Sequence, residues 1–141
     1  MQTVTAEPRI RLRAAVIGCG AIAHEHLGYL GSSPIVDLAG VCDLSPALAS
    51  FMRDKFGAAA AFTDVGEMLA IARPDVVHVL TPPQTHVPLV EQSLAAGAHV
   101  VCEKPMAADA PTVQGLIDRA LASGRVLQES RNYLFNDIVM T

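Results

Sequence analysis

The chain has 141 residues and a mass of 14.8 kDa, which is enough for one domain with a packed core. Hydrophobic residues make up 51% of it and charged residues 17%, so the chain is too apolar to be disordered. A net charge of −4 argues against a nucleic-acid binder, and no apolar run reaches the roughly 20 residues needed to span a membrane. Three widely spaced cysteines without a CxxC pair favour a reducing compartment, so we expect a cytoplasmic protein.

Short apolar runs alternate with longer amphipathic runs after a polar segment, residues 1–12, that we expect to be a loose leader. The apolar runs predict six strands: residues 13–17, 35–43, 60–62, 76–81, 99–102 and 126–129. The amphipathic runs predict five helices: residues 21–30, 46–56, 65–72, 86–96 and 109–123. This alternation predicts an α/β fold with a doubly wound, parallel, six-stranded sheet, the Rossmann arrangement. Residues 9–23 also imitate a signal peptide, but their apolar run is short and supplies the first strand and turn.

A glycine-rich turn joins the first strand to the first helix. Gly18 and Gly20 begin the pattern G-x-G-x-x-A, which Ala21, Ile22 and Ala23 complete. Gly18 permits the tight turn, Gly20 lets the backbone approach a pyrophosphate, and Ala23 permits close packing of helix on strand. The N-terminus of the helix would then meet the anionic ligand. A methyltransferase loop is the runner-up, but it would need a third glycine where Ile22 stands.

An acidic residue at the end of the second predicted strand accompanies this glycine loop, as expected for a dinucleotide site. Asp43 lies 23 residues after Gly20, close to the spacing of about 20 expected for the carboxylate that binds the adenosine ribose. A carboxylate accepts hydrogen bonds from a free 2′-hydroxyl and repels a 2′-phosphate. Leu44 and Ser45 offer no positive charge to a phosphate, so the sequence predicts NAD in preference to NADP.

Two further segments follow predicted strands, at the edge where parallel sheets bind ligands. They are Thr81–His86, which reads T-P-P-Q-T-H, and Glu103–Pro105, which reads E-K-P. With these motifs the chain resembles the glucose-fructose oxidoreductase / inositol dehydrogenase / MocA family of NAD(P)-dependent oxidoreductases. The resemblance covers residues 13 to about 135, and E-K-P is its most specific part.

The resemblance implies particular roles for the E-K-P residues. It implies that Lys104 is catalytic and points at the nicotinamide and the substrate hydroxyl. Glu103 would help to shape the nicotinamide pocket, and Pro105 would follow a cis peptide bond. Physically, an ammonium group there can orient the reacting oxygen and stabilise negative charge that develops on it.

The resemblance also implies that cofactor-lining residues follow the fourth strand: Thr81, Pro82 and His86. For His86, a capping role at the start of a helix remains open beside direct contact. Two departures from the family pattern remove expected charges, since Ala21 and Leu134 stand where basic residues are usual. His24 and His26 imitate a metal motif around Glu25, but residues two apart on a helix face different ways, so we expect no metal.

The resemblance implies that residues 132–141 begin a link to a second α/β domain, absent from this chain. That domain would supply the substrate contacts and the base, so the 141 residues alone are expected to be inactive. The implied substrate is a sugar, cyclitol or related polyol, and the whole protein is expected to form a homo-oligomer without nucleic-acid or membrane partners. Two other hypotheses stay open: a dinucleotide-binding regulatory module without turnover, and an unrelated Rossmann oxidoreductase.

Overall fold

The computed structural model describes residues 10–130, which form an α/β sandwich around one sheet. Six strands make up the sheet: β1 (Leu12–Ile17), β2 (Val36–Cys42), β3 (Ala61–Phe62), β4 (Val76–Val79), β5 (His99–Glu103) and β6 (Leu127–Ser130). Five α-helices cover it: α1 (Ala23–Ser32), α2 (Pro46–Phe56), α3 (Val65–Ala72), α4 (His86–Ala95) and α5 (Ala110–Ala122). No helix within the described range is long and apolar enough to cross a bilayer.

The strand order is β3-β2-β1-β4-β5-β6, and every neighbouring pair is parallel. The predicted doubly wound Rossmann fold is therefore confirmed. The order reverses between β1 and β4, and this switch point leaves a crevice at the carboxyl edge of the sheet.

Two hydrophobic clusters lie on opposite faces of the sheet because successive side chains of a strand point in opposite directions. Ala14 and Val16 of β1 pack with α1 and α2, whereas Ala15 and Ile17 pack with α3, α4 and α5. These four residues are at most 3% exposed. Burial on both faces of the sheet explains why residues 14–17 form a continuous apolar run.

Local chemistry sets the element boundaries. Ser45, Asp64 and Asp109 each accept a backbone hydrogen bond as the N-cap of α2, α3 and α5. The predicted starts of α2 and α3 are confirmed, and α5 begins one residue later than predicted. Gly57 ends α2 with a φ of 74°, in the left-handed region that glycine tolerates.

Two predicted boundaries were wrong. α1 begins at Ala23 and not at Ala21, because residues 20–22 belong to the turn that joins β1 to the helix. β4 ends at Val79 and not at Thr81, since the chain turns away there and Pro82 and Pro83 have no N–H to donate. The other bounds match the prediction or differ from it by one or two residues. Residues 131–141, which include the expected link, lie outside the described range.

Candidate functional site

A cavity of about 820 Å³ opens at the switch point, where the ends of β1, β2 and β4 meet. Its walls are mostly apolar, with a few polar groups, as is usual for ligand sites. The lining residues are Ile17–Ile22, Cys42–Leu44, Leu48, Thr63, Val65, Leu80–Pro82, Thr85, Pro88 and Leu89. The predicted glycine loop, acid and strand-four segment therefore meet in one site.

The glycine loop forms the floor of this cavity. Gly18 has a φ of 99°, and a Cβ built on it would lie 2.9 Å from the carbonyl carbon and oxygen of Leu80. A side chain at this position would therefore collide with the backbone that leaves β4. No such conflict exists at Gly20, where a Cβ would meet nothing within 4 Å. The space above Gly20 is thus open to a ligand.

Helix α1 presents its N-terminus to the cavity without a side-chain cap. Its N-cap residue is Ile22, which offers no hydrogen-bonding side chain, and Ala21 and Ile22 both line the cavity. Backbone N–H groups at a helix start carry partial positive charge and favour an anion. The uncapped start of α1 is therefore chemically suited to a phosphate group.

Asp43 joins the floor of the cavity to its β2 wall. Its Oδ2 accepts a hydrogen bond from the backbone N–H of Cys19 at 2.8 Å, and its Oδ1 accepts one from Ser45 N–H at 2.8 Å. Each carboxylate oxygen can accept a second bond, so both remain available to a ligand diol. The bond from Cys19 was not predicted from the sequence, and through it Asp43 also braces the glycine loop.

Three predicted cofactor-lining residues follow β4, and the structure separates them. Thr81 and Pro82 line the cavity, and the Thr85 hydroxyl donates a hydrogen bond to the Thr81 hydroxyl at 2.6 Å. His86 does not line it, because its ring is fully buried at the start of α4. Direct contact between His86 and the cofactor therefore stays a prediction, beside the alternative of a role at the start of the helix.

His86 instead connects the two loops at the carboxyl edge of the sheet. Its Nε2 lies 2.7 Å from the carbonyl oxygen of Thr81, and its Nδ1 lies 2.7 Å from the carbonyl oxygen of Pro105. The ring therefore ties the segment after β4 to the segment after β5. This spatial role left no signal in the sequence beyond the T-P-x-x-x-H spacing.

The E-K-P residues lie at the end of β5, beside the cavity and outside its lining. Glu103 is the last residue of the strand, Lys104 is exposed, and the Lys104–Pro105 peptide bond is cis, as expected. The backbone N–H of Met106 donates a hydrogen bond to the Glu129 carboxylate at 3.0 Å. Contacts from β6 and from His86 thus hold the segment that carries Lys104.

A pair of histidines lies next to Glu103, and neither was predicted to belong to the site. His26 on α1 and His78 on β4 approach each other with 2.8 Å between their Nδ1 atoms. Burial lowers the pKa of His78 to about 4, with a smaller contribution from His26, and burial also lowers the pKa of His26. Both imidazoles are therefore neutral at pH 7.

The three cysteines are free thiols, all buried. Burial, reinforced by Asp43, raises the pKa of Cys19 to about 12 and that of Cys42 to about 11. Burial also raises the pKa of Cys102 to about 12. A thiol with so high a pKa is a poor nucleophile, so the two cysteines in the cavity wall serve as packing groups.

Residues 10–130 contain no group of three or more histidine, cysteine or acidic side chains able to hold a metal ion. The resemblance of residues 24–26 to a metal motif fails for a geometric reason. His24 points toward the ring of Phe56, 5.8 Å away, while His26 turns toward His78.

The family model described as "Oxidoreductase family, NAD-binding Rossmann fold", the Gfo/Idh/MocA family, matches residues 12–130. The chain belongs to this family. Its match spans the glycine loop, Asp43 and E-K-P together, which removes the methyltransferase and unrelated-dehydrogenase alternatives.

Individual relatives agree with this membership. The chain is 34% identical over 125 residues to D-glucoside 3-dehydrogenase of Escherichia coli K12, a match that covers 88% of this chain and 36% of that protein. GenD2 from gentamicin A biosynthesis, solved in complex with NAD, superposes with a TM-score of 0.86 and 31% identity over 97% of this chain and 39% of its own.

A second structure extends the comparison to another cofactor. A lysine-to-alanine variant of KijD10, a 3-ketoreductase from Actinomadura kijaniata in complex with TDP-benzene and NADP, superposes with a TM-score of 0.84 and 27% identity over 89% of this chain and 40% of its own. This chain thus spans less than half the length of each of these relatives. The comparisons give no support to a regulatory module without turnover.

Proposed function

We propose that this chain is the cofactor-binding part of an NAD(P)-dependent oxidoreductase that moves hydride between a secondary hydroxyl of a sugar or cyclitol and the nicotinamide. The observation that carries the proposal is the cavity at the switch point, where the uncapped start of α1 and the Asp43 carboxylate face one space. The first suits a pyrophosphate and the second a ribose diol. Together the two groups suit the pyrophosphate and the ribose of a dinucleotide.

In the proposed complex, Gly18, Gly20, Ala21, Ile22 and Ala23 receive the pyrophosphate at the N-terminus of α1. The adenosine end extends past Asp43 toward the apolar wall formed by Leu44, Leu48 and Val65, which all line the cavity. The nicotinamide end extends in the opposite direction, past Thr81 and Pro82 toward Glu103 and Lys104. Bound NAD would accept the hydride that leaves the carbinol carbon.

Lys104 is the residue that we propose to act on the substrate. Its ammonium donates a hydrogen bond to the reacting oxygen and so stabilises negative charge as the hydroxyl proton leaves. Asp43 is the one carboxylate among the cavity-lining residues, and it faces the ribose end. We therefore propose that the base that accepts the hydroxyl proton comes from outside residues 10–130, on a second domain.

We propose NAD as the preferred cofactor, in a cytoplasmic protein. Asp43 sits where a 2′-phosphate would bring negative charge, and Leu44, the next residue, is 93% exposed and carries no charge. The free thiols are compatible with the reducing conditions of the cytoplasm.

Replacement of Asp43 tests the cofactor assignment. We expect Asp43→Ala to weaken NAD binding about ten- to a hundredfold, since a charge-assisted hydrogen bond is worth roughly 1.5–3 kcal/mol. NADP binding should change much less, because the same substitution removes a repulsion. Calorimetric titration of the 141-residue chain with each cofactor measures both values.

A matched control separates this effect from lost stability. Asp75 also accepts a backbone hydrogen bond, from Arg13 N–H at 2.8 Å, but it precedes β4 at the opposite edge of the sheet. We expect Asp75→Ala to leave NAD affinity within twofold of the wild type. Equal losses of NAD and NADP affinity in Asp43→Ala, or no NAD binding by the folded wild-type chain, would contradict the assignment.

The substrate class is tested on the complete protein that contains this chain. D-glucoside 3-dehydrogenase is named for position 3 of a glucoside, and KijD10 is named a 3-ketoreductase. We therefore expect NADH formation with a panel of glucosides and inositols, and loss of the reaction when the 3-hydroxyl of the active glucoside is replaced by hydrogen. Unchanged turnover of that deoxy sugar would exclude position 3, and absence of turnover across the panel would contradict the proposed class.

A further inference from the structure

A partly buried row of three titratable side chains runs from His78 on β4 through His26 on α1 to Glu103 at the end of β5. The Nδ1 atoms of His78 and His26 are 2.8 Å apart, and His26 Nε2 lies 3.6 Å from Glu103 Oε2. The side chains of His26 and Glu103 are only 14% and 16% exposed. Glu103 Oε2 is itself buried and has no hydrogen-bond partner. His26 Nε2, 3.6 Å away, is the polar atom in position to donate a hydrogen bond to it.

The chemistry of these groups allows one arrangement of protons when both rings are neutral. An ionised carboxylate only accepts hydrogen bonds, so His26 must carry its proton on Nε2 to face Glu103. His26 Nδ1 is then an acceptor, and His78 must donate to it from Nδ1. The tautomer of each ring is therefore set by its neighbour, as in other carboxylate–histidine pairs.

We propose that His26 and His78 are positioning residues that orient the Glu103 carboxylate and, through it, the segment that carries Lys104. The inference rests on the proposed function, in which Lys104 meets the substrate hydroxyl. His78 acts through His26, because it selects the His26 tautomer that can donate a hydrogen bond to Glu103. A movement of less than 1 Å would shorten the 3.6 Å contact to an ordinary hydrogen bond.

The surroundings of the two histidines keep both rings neutral. Burial is the largest influence on both rings and lowers the pKa of each. Glu103 and Glu25 raise the pKa of His26 in opposition to burial, and His26 further lowers that of His78. An unsatisfied buried carboxylate is costly, which makes the His26 donor important to the local conformation.

Two histidine contacts, one at Glu103 and one at Pro105, hold the E-K-P segment. His86 lies 2.7 Å from the Pro105 carbonyl oxygen on the α4 side of the sheet, and His26 approaches Glu103 from the α1 side. Lys104 lies between these two attachments. Removal of the α1-side contact should let the carboxylate turn and should misplace the neighbouring ammonium.

Two substitutions at one position test the proposal in the complete enzyme. An Asn side chain at position 78 places an amide donor close to where His78 Nδ1 stands, whereas leucine fills similar space without a donor. We expect His78→Leu to lower kcat about tenfold or more and His78→Asn to recover most of the loss, with the Kd of NAD within twofold in both. His24→Leu, at an exposed position of α1 two residues from His26, serves as the control and should leave kcat unchanged.

Nitrogen NMR of the imidazoles in the 141-residue chain gives a readout that needs no substrate. We expect the Nε2–H tautomer for His26 and the Nδ1–H tautomer for His78 at pH 7, with His26 becoming mixed in His78→Leu. Opposite tautomers, or equal kcat in His78→Leu and His78→Asn, would overturn the proposal. If the wild type turns over no sugar, the proposed function fails, while the tautomers still decide whether the hydrogen-bonded row exists.

Discussion

Lys104→Met should lower kcat of the complete enzyme by about 10²–10³-fold, the usual cost of removing one donor that stabilises developing charge. Methionine preserves the length and most of the volume of lysine but has neither the charge nor the N–H groups. Because the ammonium acts on the reacting oxygen, the loss should fall on kcat, with a much smaller change in the Kd of NAD. Steady-state kinetics and NAD titration on the same preparation separate the two quantities.

The chain contains a matched control, because it has only one other lysine. Lys55 lies on α2 with its Nζ 5.7 Å from the ring centre of Phe51 and 5.4 Å from that of Phe56. Lys55→Met removes the same charge away from the cavity and should leave kcat unchanged. Near-normal turnover by Lys104→Met, or an equal decrease in both variants, would refute the catalytic assignment.

Substitutions of the two loop glycines should separate folding from cofactor binding. Gly18→Ala forces a Cβ to within 2.9 Å of the Leu80 carbonyl group at a φ of 99°, where strain alone costs about 1–3 kcal/mol. The free energy of unfolding should therefore fall by at least this amount. NAD affinity should fall with it, since Gly18 and Leu80 both line the cavity.

Gly20→Ala should behave in the opposite way. Its Cβ meets no protein atom within 4 Å, so the free energy of unfolding should change by less than about 1 kcal/mol. The methyl group would occupy the space in which a pyrophosphate approaches the loop, and NAD affinity should drop at least tenfold. Chemical denaturation and calorimetric titration of both variants test the contrast, and a stable Gly20→Ala protein with normal NAD affinity would place the pyrophosphate elsewhere.

Much of the site could be predicted because its signals are local. The turn at Gly18, the caps at Ser45, Asp64 and Asp109, and the glycine at the end of α2 depend on residues within a few positions of one another. The apolar run of residues 14–17 in β1 likewise indicates burial on both faces.

Contacts between residues far apart in the chain could not be predicted in this way. For His86 the sequence left cofactor contact and a role at a helix start open, and neither hypothesis included the carbonyl oxygens, 5 and 19 residues away in the chain, that its two nitrogens face. His26 was assigned no partner, yet it meets His78, 52 residues away. A histidine reads the same in a sequence whether its partner is solvent, a ligand or a buried carbonyl, so spacing could not distinguish these roles.

The amino-acid sequence by itself determined the order of strands and helices, the glycine loop and the position of Asp43, because turn geometry, capping and periodic burial are short-range properties. Only the tertiary structure decided that Asp43 also braces Cys19, that His86 joins two loops, and that His26 stands between His78 and Glu103. These contacts exist because parallel crossovers bring the ends of β1, β2, β4 and β5 to one edge of the sheet. Residues far apart in the chain become neighbours there, and hydrogen-bonding geometry in a buried setting then assigns each polar atom its partner.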